Sequence, residues 1–485
     1  MTGCSADATT NIEFHGEKVF VLRVRQAIIC FGPILITISL GLAEGYSAIL
    51  LPQLVKDENW HINSELSSWI ASIATLPMSV GCLLGGWLME VIGRKMLHLV
   101  TCVPNIIGWL LIGCCGQNLT MLLAGRFITG MCVGVLSPVL VIYVAETSDP
   151  SFRGFLLPAL SLALNIGIAL AHILGTYLEW KLVALLALIF PSGCFILMLF
   201  VPESPTYLIK KGKPEMAKNA FDWFRGHSVE SNAEFAILSS KQIDESSLSR
   251  QTFLQHLEVF KRPEFYKPLL ILMIFFSTMQ WAGNNPIAFY TVTILQGSLG
   301  DSSINPYTSM LIMDGVRIFA SVLGCFAQQY LKRRKLMMIS CSGTTISLLV
   351  LSLYLFLNGR YPSDADLSWI VVASFVGYVL FINAGLLPLP YSMSGELFAQ
   401  SSRGLGSGIV TLYNMILMFI LVKITPSLFE GLGPAGTFLL FAICCFVGMG
   451  LLIATLPETK DKPLHEIEEC FKGSDARYPN LRQML

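Results

Sequence analysis

Residues 141–154 read VIYVAETSDPSFRG and residues 391–404 read YSMSGELFAQSSRG. In each copy a Glu precedes an Arg by seven positions and a Gly follows the Arg: Glu146, Arg153 and Gly154 in the first, Glu396, Arg403 and Gly404 in the second. The copies stand 250 residues apart in a chain of 485, about half its length. Two further echoes run at similar offsets, Arg94-Lys95 with Arg334-Lys335 and Pro202-Glu203-Ser204 with Pro457-Glu458-Thr459. Charged punctuation repeated once inside apolar sequence is the pattern of a duplicated helical membrane bundle. Secondary transporters are built this way, with the substrate site between the repeats.

Composition agrees. The chain is 54% hydrophobic and 13% charged, with mean hydropathy +0.64. A soluble domain carries about 25% charged residues, so lipid must cover much of this surface. A net charge of +0 argues against a nucleic-acid partner. The 13 cysteines fall mostly in apolar segments, without a paired framework or metal spacing. The first 26 residues hold no apolar core, so no cleavable signal is expected and the first helix serves as its own insertion signal.

A membrane helix needs about 20 mostly apolar residues. Twelve such spans are expected, at 27–50, 66–89, 96–116, 119–143, 155–177, 181–201, 266–293, 305–330, 335–357, 367–391, 405–428 and 434–456. The polar stretch 202–265 splits them into six plus six. The organisation predicted is a tail (1–26), a six-helix bundle (27–201), a helical linker (202–265), a second bundle (266–456) and a tail (457–485). Placing both termini in the cytoplasm puts 26 of the 32 Lys and Arg on that side and three outside, Lys56, Lys181 and Arg360. That is the asymmetry the positive-inside rule requires.

Amides are scarce in these spans, and those present stand out: Gln280, Asn284 and Asn285 in the seventh, Asn383 in the tenth and Asn414 in the eleventh. An uncharged, hydroxyl-rich ligand at mid-membrane needs such partners and an aromatic face, because unpaired buried polar groups are costly. The competing reading is interhelical hydrogen bonding.

The charged loops, taken in order, resemble the sugar porter family of the major facilitator superfamily. GGWLMEVIGRK (85–95), AGRFITG (124–130), the Glu146…Arg153 pair, PESPTYL (202–208), QWAGNNPIAFY (280–290), GELFAQSSRG (395–404) and LPETK (456–460) carry the resemblance. ENWHINSELSSWIAS (58–72), and Thr206 where many members have Arg, look most like insect facilitated trehalose transporters. The resemblance implies an all-α fold of two pseudo-symmetric six-helix bundles around a central sugar site, with short cytosolic helices between them, and alternating access. It places Gln280, Asn285 and Asn414 at sugar-binding positions. It also makes a cytoplasmic gate of Glu90, Arg94, Glu146, Arg153 and Glu203 in one half and Arg333, Arg334, Glu396, Arg403 and Glu458 in the other. Ion pairs across the interface would form when the site faces out and part when it faces in. The alternative is that these charges only set topology. The second-half loop departs from the family, with Gln329 and Lys332 where Asp and Gly are usual, which implies a weaker or differently paired clamp there.

The pocket departs too. Ser161 stands where many members have Gln, Met279 where the first of two Gln is usual, Asn383 where Glu is common and Tyr391 where Trp is common. Arg126, shared with the family, faces an Asp on the first span in proton-coupled relatives. Here the matching residue is Ser47, which cannot titrate, so uniport is the first reading. Glu44, three residues earlier and on the same helix face, offers a proton-coupled alternative. Asp314 and Arg317 in the eighth span are spaced as a self-neutralising pair, though Arg317 also falls where relatives carry a sugar-facing Asn. Lys423 is expected to snorkel. The expectation is a facilitative transporter of trehalose or glucose/hexose in the cell membrane, not an enzyme, with no cofactor and no obligate protein partner. A non-transporting sugar sensor is the alternative from another class.

Overall fold

The computed structural model describes residues 6–148, 150–226, 229–248, 260–299, 304–360, 367–398, 402–460 and 471. Every regular element among them is helical. Lipid cannot hydrogen-bond a backbone, so segments this apolar must satisfy their own N–H and C=O groups, and helices do so. Eleven described helical segments are long and apolar enough to cross a membrane. The last, Gly404–Thr455, is 52 residues long. It breaks at Gly433, where φ is 69°, just before Pro434. That conformation suits glycine, and a proline there cannot donate back. One segment therefore supplies the eleventh and twelfth spans, and the twelve-helix expectation stands.

Several spans are interrupted. The second span runs as Ser64–Ser72 and Leu76–Ile92, with Pro77 opening the second piece. The seventh runs as Pro263–Trp281 and Asn284–Phe289, turning at Gly283 with φ 86°. The tenth passes from Trp369–Phe381 through a π-turn at Ile382–Leu386 into Pro388–Leu397. The first helix, Ala6–Lys56, starts well before the span predicted at 27 and takes in most of the expected tail.

The first span packs on the fifth (Pro150–Tyr177), and the second and third (Arg94–Gly113) on the fourth (Leu119–Thr147). In the other half the ninth (Arg333–Arg360) packs on the tenth and on the long final helix. Glycines set the closest approaches. A Cβ on Gly41 would lie 2.1 Å from the Leu164 carbonyl oxygen, and one on Gly134 would lie 2.2 Å from that of Met78. Small residues of this kind let membrane helices touch backbone to backbone. The halves meet where the fifth span packs on the eighth (Pro306–Tyr330) and the second on the eleventh. The linker helices rest on the first half, with Tyr207 Oη donating to the Val91 carbonyl at 2.8 Å and Arg225 to that of Ser148 at 2.8 Å.

Candidate functional site: an amide chain between two charge-clasped halves

One end of the bundle, called here the charged end, carries two matching clusters. Arg94 is 2% exposed at the head of the third span. It donates to Glu90 Oε1 at 2.8 Å, to Glu146 Oε1 at 3.1 Å and to the Met89 carbonyl at 3.1 Å. Glu203 instead takes the backbone N–H groups of Arg94 (3.0 Å) and Lys95 (2.9 Å), so it caps that helix where its dipole is positive. Ser204 Oγ donates to Glu146. The second half repeats this pattern, save for the bond to Glu90. Arg333 donates to Glu396 Oε1 at 2.8 Å and to the Gln328 carbonyl at 2.9 Å. Glu458 accepts the N–H groups of Arg333 (2.9 Å) and Arg334 (3.2 Å), and Thr459 donates to Glu396 at 2.7 Å.

These bonds correct the register of the repeat. Arg94-Lys95 corresponds to Arg333-Arg334, one residue earlier than the dipeptide echo. Lys95 Nζ and the Arg334 guanidinium make the same contact, each with a carbonyl near the end of the last span of its own half, Leu199 and Ile453. Position in the first turn fixes the match, which the run of four basic residues at 332–335 blurs in the sequence. Arg333 has no counterpart of Glu90, because Gln329 stands there, and its clasp is the thinner one, as expected. The described ion pairs at this end all lie within one half or between it and the linker. In this conformation none of them bridges the halves. The side chains of Arg153 and Arg403 lie outside the described residues.

Midway along the second half, four polar side chains join end to end. Asn285 Nδ2 donates to Gln280 Oε1 at 2.8 Å, Gln280 Nε2 to Asn414 Oδ1 at 2.8 Å, and Asn414 Nδ2 to Tyr391 Oη at 2.9 Å. Gln280 is wholly buried, Asn285 half-buried and Tyr391 43% exposed. The chain thus runs from a buried hinge to an open aromatic ring, which packs edge-on against Phe276 at 5.1 Å. Asn284 is half-buried and joins none of these bonds. Asn383 does not belong to the chain: it is 5% exposed, and its amide donates to the Val379 carbonyl of its own helix at 2.8 Å. Ser161 lies on the fifth span, exposed and apart from the amides.

Arg126 is fully buried and donates to the Ala43 carbonyl at 3.0 Å and to Ser47 Oγ. Glu44 is not its partner, contrary to the proton-coupled expectation. Residue 44 sits about 100° round the helix from residue 43, and it comes within electrostatic reach of Arg317 instead. The expected Asp314–Arg317 pair is present at 2.9 Å, and it has a third member that sequence reading missed. His172 Nδ1 lies 2.6 Å from the other oxygen of Asp314. A histidine in a span as apolar as 155–177 was itself a signal, by the rule that ionisable groups at membrane depth are rarely idle.

Lys423 does not snorkel either. It donates to Ser68 Oγ at 2.6 Å and sits 4.0 Å over the Trp69 ring, so a second-half cation is held by a first-half aromatic face. The halves are therefore tied away from the charged end. Along the fifth span, His172 meets Asp314 and Asn165 meets Ser321 at 2.7 Å, whereas Ser161, on the same face and nearer the charged end, is exposed.

The sequence of this chain matches the family model for sugar (and other) transporters over residues 28–471. The chain belongs to the sugar transporter family. A facilitated trehalose transporter Tret1-2 homolog of Drosophila sechellia is 32% identical over 92% of this chain and 91% of its own length. The facilitated trehalose transporter Tret1-1 of Drosophila simulans is 34% identical over 92% of this chain, which spans 52% of that longer protein. Among solved structures, the xylose transporter XylE of E. coli in an inward-open conformation superposes with TM-score 0.73 at 16% identity, covering 93% of this chain and all (100%) of that one. XylE bound to 6-bromo-6-deoxy-D-glucose gives 0.71 at 17% identity, over 93% and 99% of the two chains. The resemblance read from the loops is thus borne out for the family, and the XylE structures share the sugar transporter's fold.

Proposed function

We propose that this sugar transporter is a facilitative carrier of the cell membrane, working by alternating access on trehalose or glucose/hexose, with both termini cytoplasmic. One observation carries the reading. The central polar group is an uncharged chain of amides ending on a tyrosine, while Arg126 is held by Ser47 and a carbonyl, not by a titratable carboxylate. Amides and an open aromatic ring suit a neutral sugar. Trehalose is favoured by the naming of the two fly relatives. The distribution of Lys and Arg assigns the charged end to the cytoplasm. The ties at His172 and Lys423 then close the outer end, so this conformation faces inward. The two clusters, with Arg153 and Arg403, form the gate at the cytoplasmic end: Arg94 and Arg333 are clasped inside their own halves here and are free to be shared when that end closes.

Uptake of radiolabelled trehalose and of glucose in oocytes tests the reading. Saturable uptake of one of them, competed by the unlabelled sugar and abolished in the double variant Gln280→Ala/Asn414→Ala at equal surface expression, is the expected result. Surface-expressed protein that moves neither sugar would favour a sensor.

A further inference from the structure

We propose that His172 and Asp314 form a proton-binding site on the seam between the halves, and that a proton there holds the transporter in the conformation described. The inference rests on the reading of the chain as an alternating-access carrier.

His172 belongs to the first half and Asp314 to the second, and their contact is 2.6 Å with both side chains buried. Asp314 already accepts from Arg317 on its own helix, so the pair is electrically balanced while His172 is neutral. The second ring nitrogen of His172, Nε2, is buried without a partner. Histidine is the side chain whose charge changes across physiological pH. Adding a proton turns a hydrogen bond from a neutral imidazole to a carboxylate into an ion pair between the halves, and opposite charges attract more strongly in a buried site than in water. A contact made in one conformation and broken in the other shifts the equilibrium by its difference in strength.

Other charges around the fifth span are already engaged. On the first span, packed along it through Gly41 and Gly45, Glu44 is within reach of Arg317 and Tyr46 donates to the Trp180 carbonyl. On the fourth span Arg126 is taken up by Ala43 and Ser47. On the sixth, Lys181 lies over the Trp180 ring. From the eighth come Asp314 and Arg317 themselves. Asp314 is thus the one carboxylate bonded to His172.

The test is a distance measurement on purified full-length protein in nanodiscs. Spin labels go on Ser161→Cys and Tyr330→Cys, with exposed Cys114 replaced by serine. Distances are recorded between about pH 5.5 and pH 8, the range in which a histidine site acts. Acidification should enrich the conformation open at the charged end by about fivefold, the lower end of the coupling usual between two linked sites. His172→Gln keeps an N–H for Asp314 but cannot titrate, and its distances should not move with pH. If that variant misfolds, Asp314→Asn should flatten the profile likewise. An unmoved wild-type distribution, or an equal shift in His172→Gln, overturns the proposal. Sugar uptake in the same preparation is scored separately. Its absence would sink the carrier reading, while the distances still decide the site.

Discussion

Gln280 holds the amide chain together, accepting from Asn285 and donating to Asn414 while fully buried. Truncating it strands two partners, so Gln280→Ala should lower both sugar affinity and folded yield. Asn285 is half-buried at the chain's edge, and Asn285→Ala should weaken sugar binding by roughly 1–3 kcal/mol with surface expression intact. Uptake kinetics with surface biotinylation check both, and unchanged kinetics in both variants would remove the seventh span from the site. At this scale the sequence was informative where chemistry is scarce. An amide in an apolar span has few reasons to exist, so Gln280, Asn285 and Asn414 stood out. The same logic picked out Asn383, whose amide here donates to a carbonyl four residues back along its own helix. It also missed His172, whose partner is distant in sequence.

Among the helices, adjacent glycines make a sharp comparison. A Cβ on Gly85 would sit 2.2 Å from the Val135 carbonyl oxygen, whereas one on Gly86 meets nothing within 4 Å. Gly85→Ala must push the second and fourth spans apart and should cost about 1–3 kcal/mol, as overpacking does. Gly86→Ala should be neutral or slightly stabilising. Thermal unfolding in detergent separates the two, and equal melting temperatures would show that the helix contact is looser than described. Element count and type were legible because apolar length decides them. Breaks were not. The π-turn at Ile382–Leu386 and the two-piece second span depend on packing that periodicity does not report. The register of the repeat needed the capping bonds of Glu203 and Glu458, since four consecutive basic residues offer three dipeptide alignments.

For the whole molecule, the two halves are joined at His172, Asn165 and Lys423 and part toward the charged end. With the first half's fifth span as a ruler, a cysteine at Ser161 should react quickly with a thiol reagent supplied from the cytoplasmic side. One at Asn165, 7% exposed, should be protected. Weakening the clasp with Glu146→Gln should raise the rate at 161 if that cluster helps close the end, and an unchanged rate would make the cluster topological only. The duplicated bundle was legible from the paired Glu…Arg motifs, but the conformation was not, because a motif of charges does not say which partners lie within reach. The central claim is passive movement of an uncharged sugar. It is tested most directly by following a non-metabolised sugar analogue to its end level in proteoliposomes, with and without an inward proton gradient. The account predicts that internal and external concentrations become equal in both cases, whatever pH does to the rate. Accumulation above the external level that needs the gradient and disappears in Glu44→Gln would contradict it and make the protein a proton symporter.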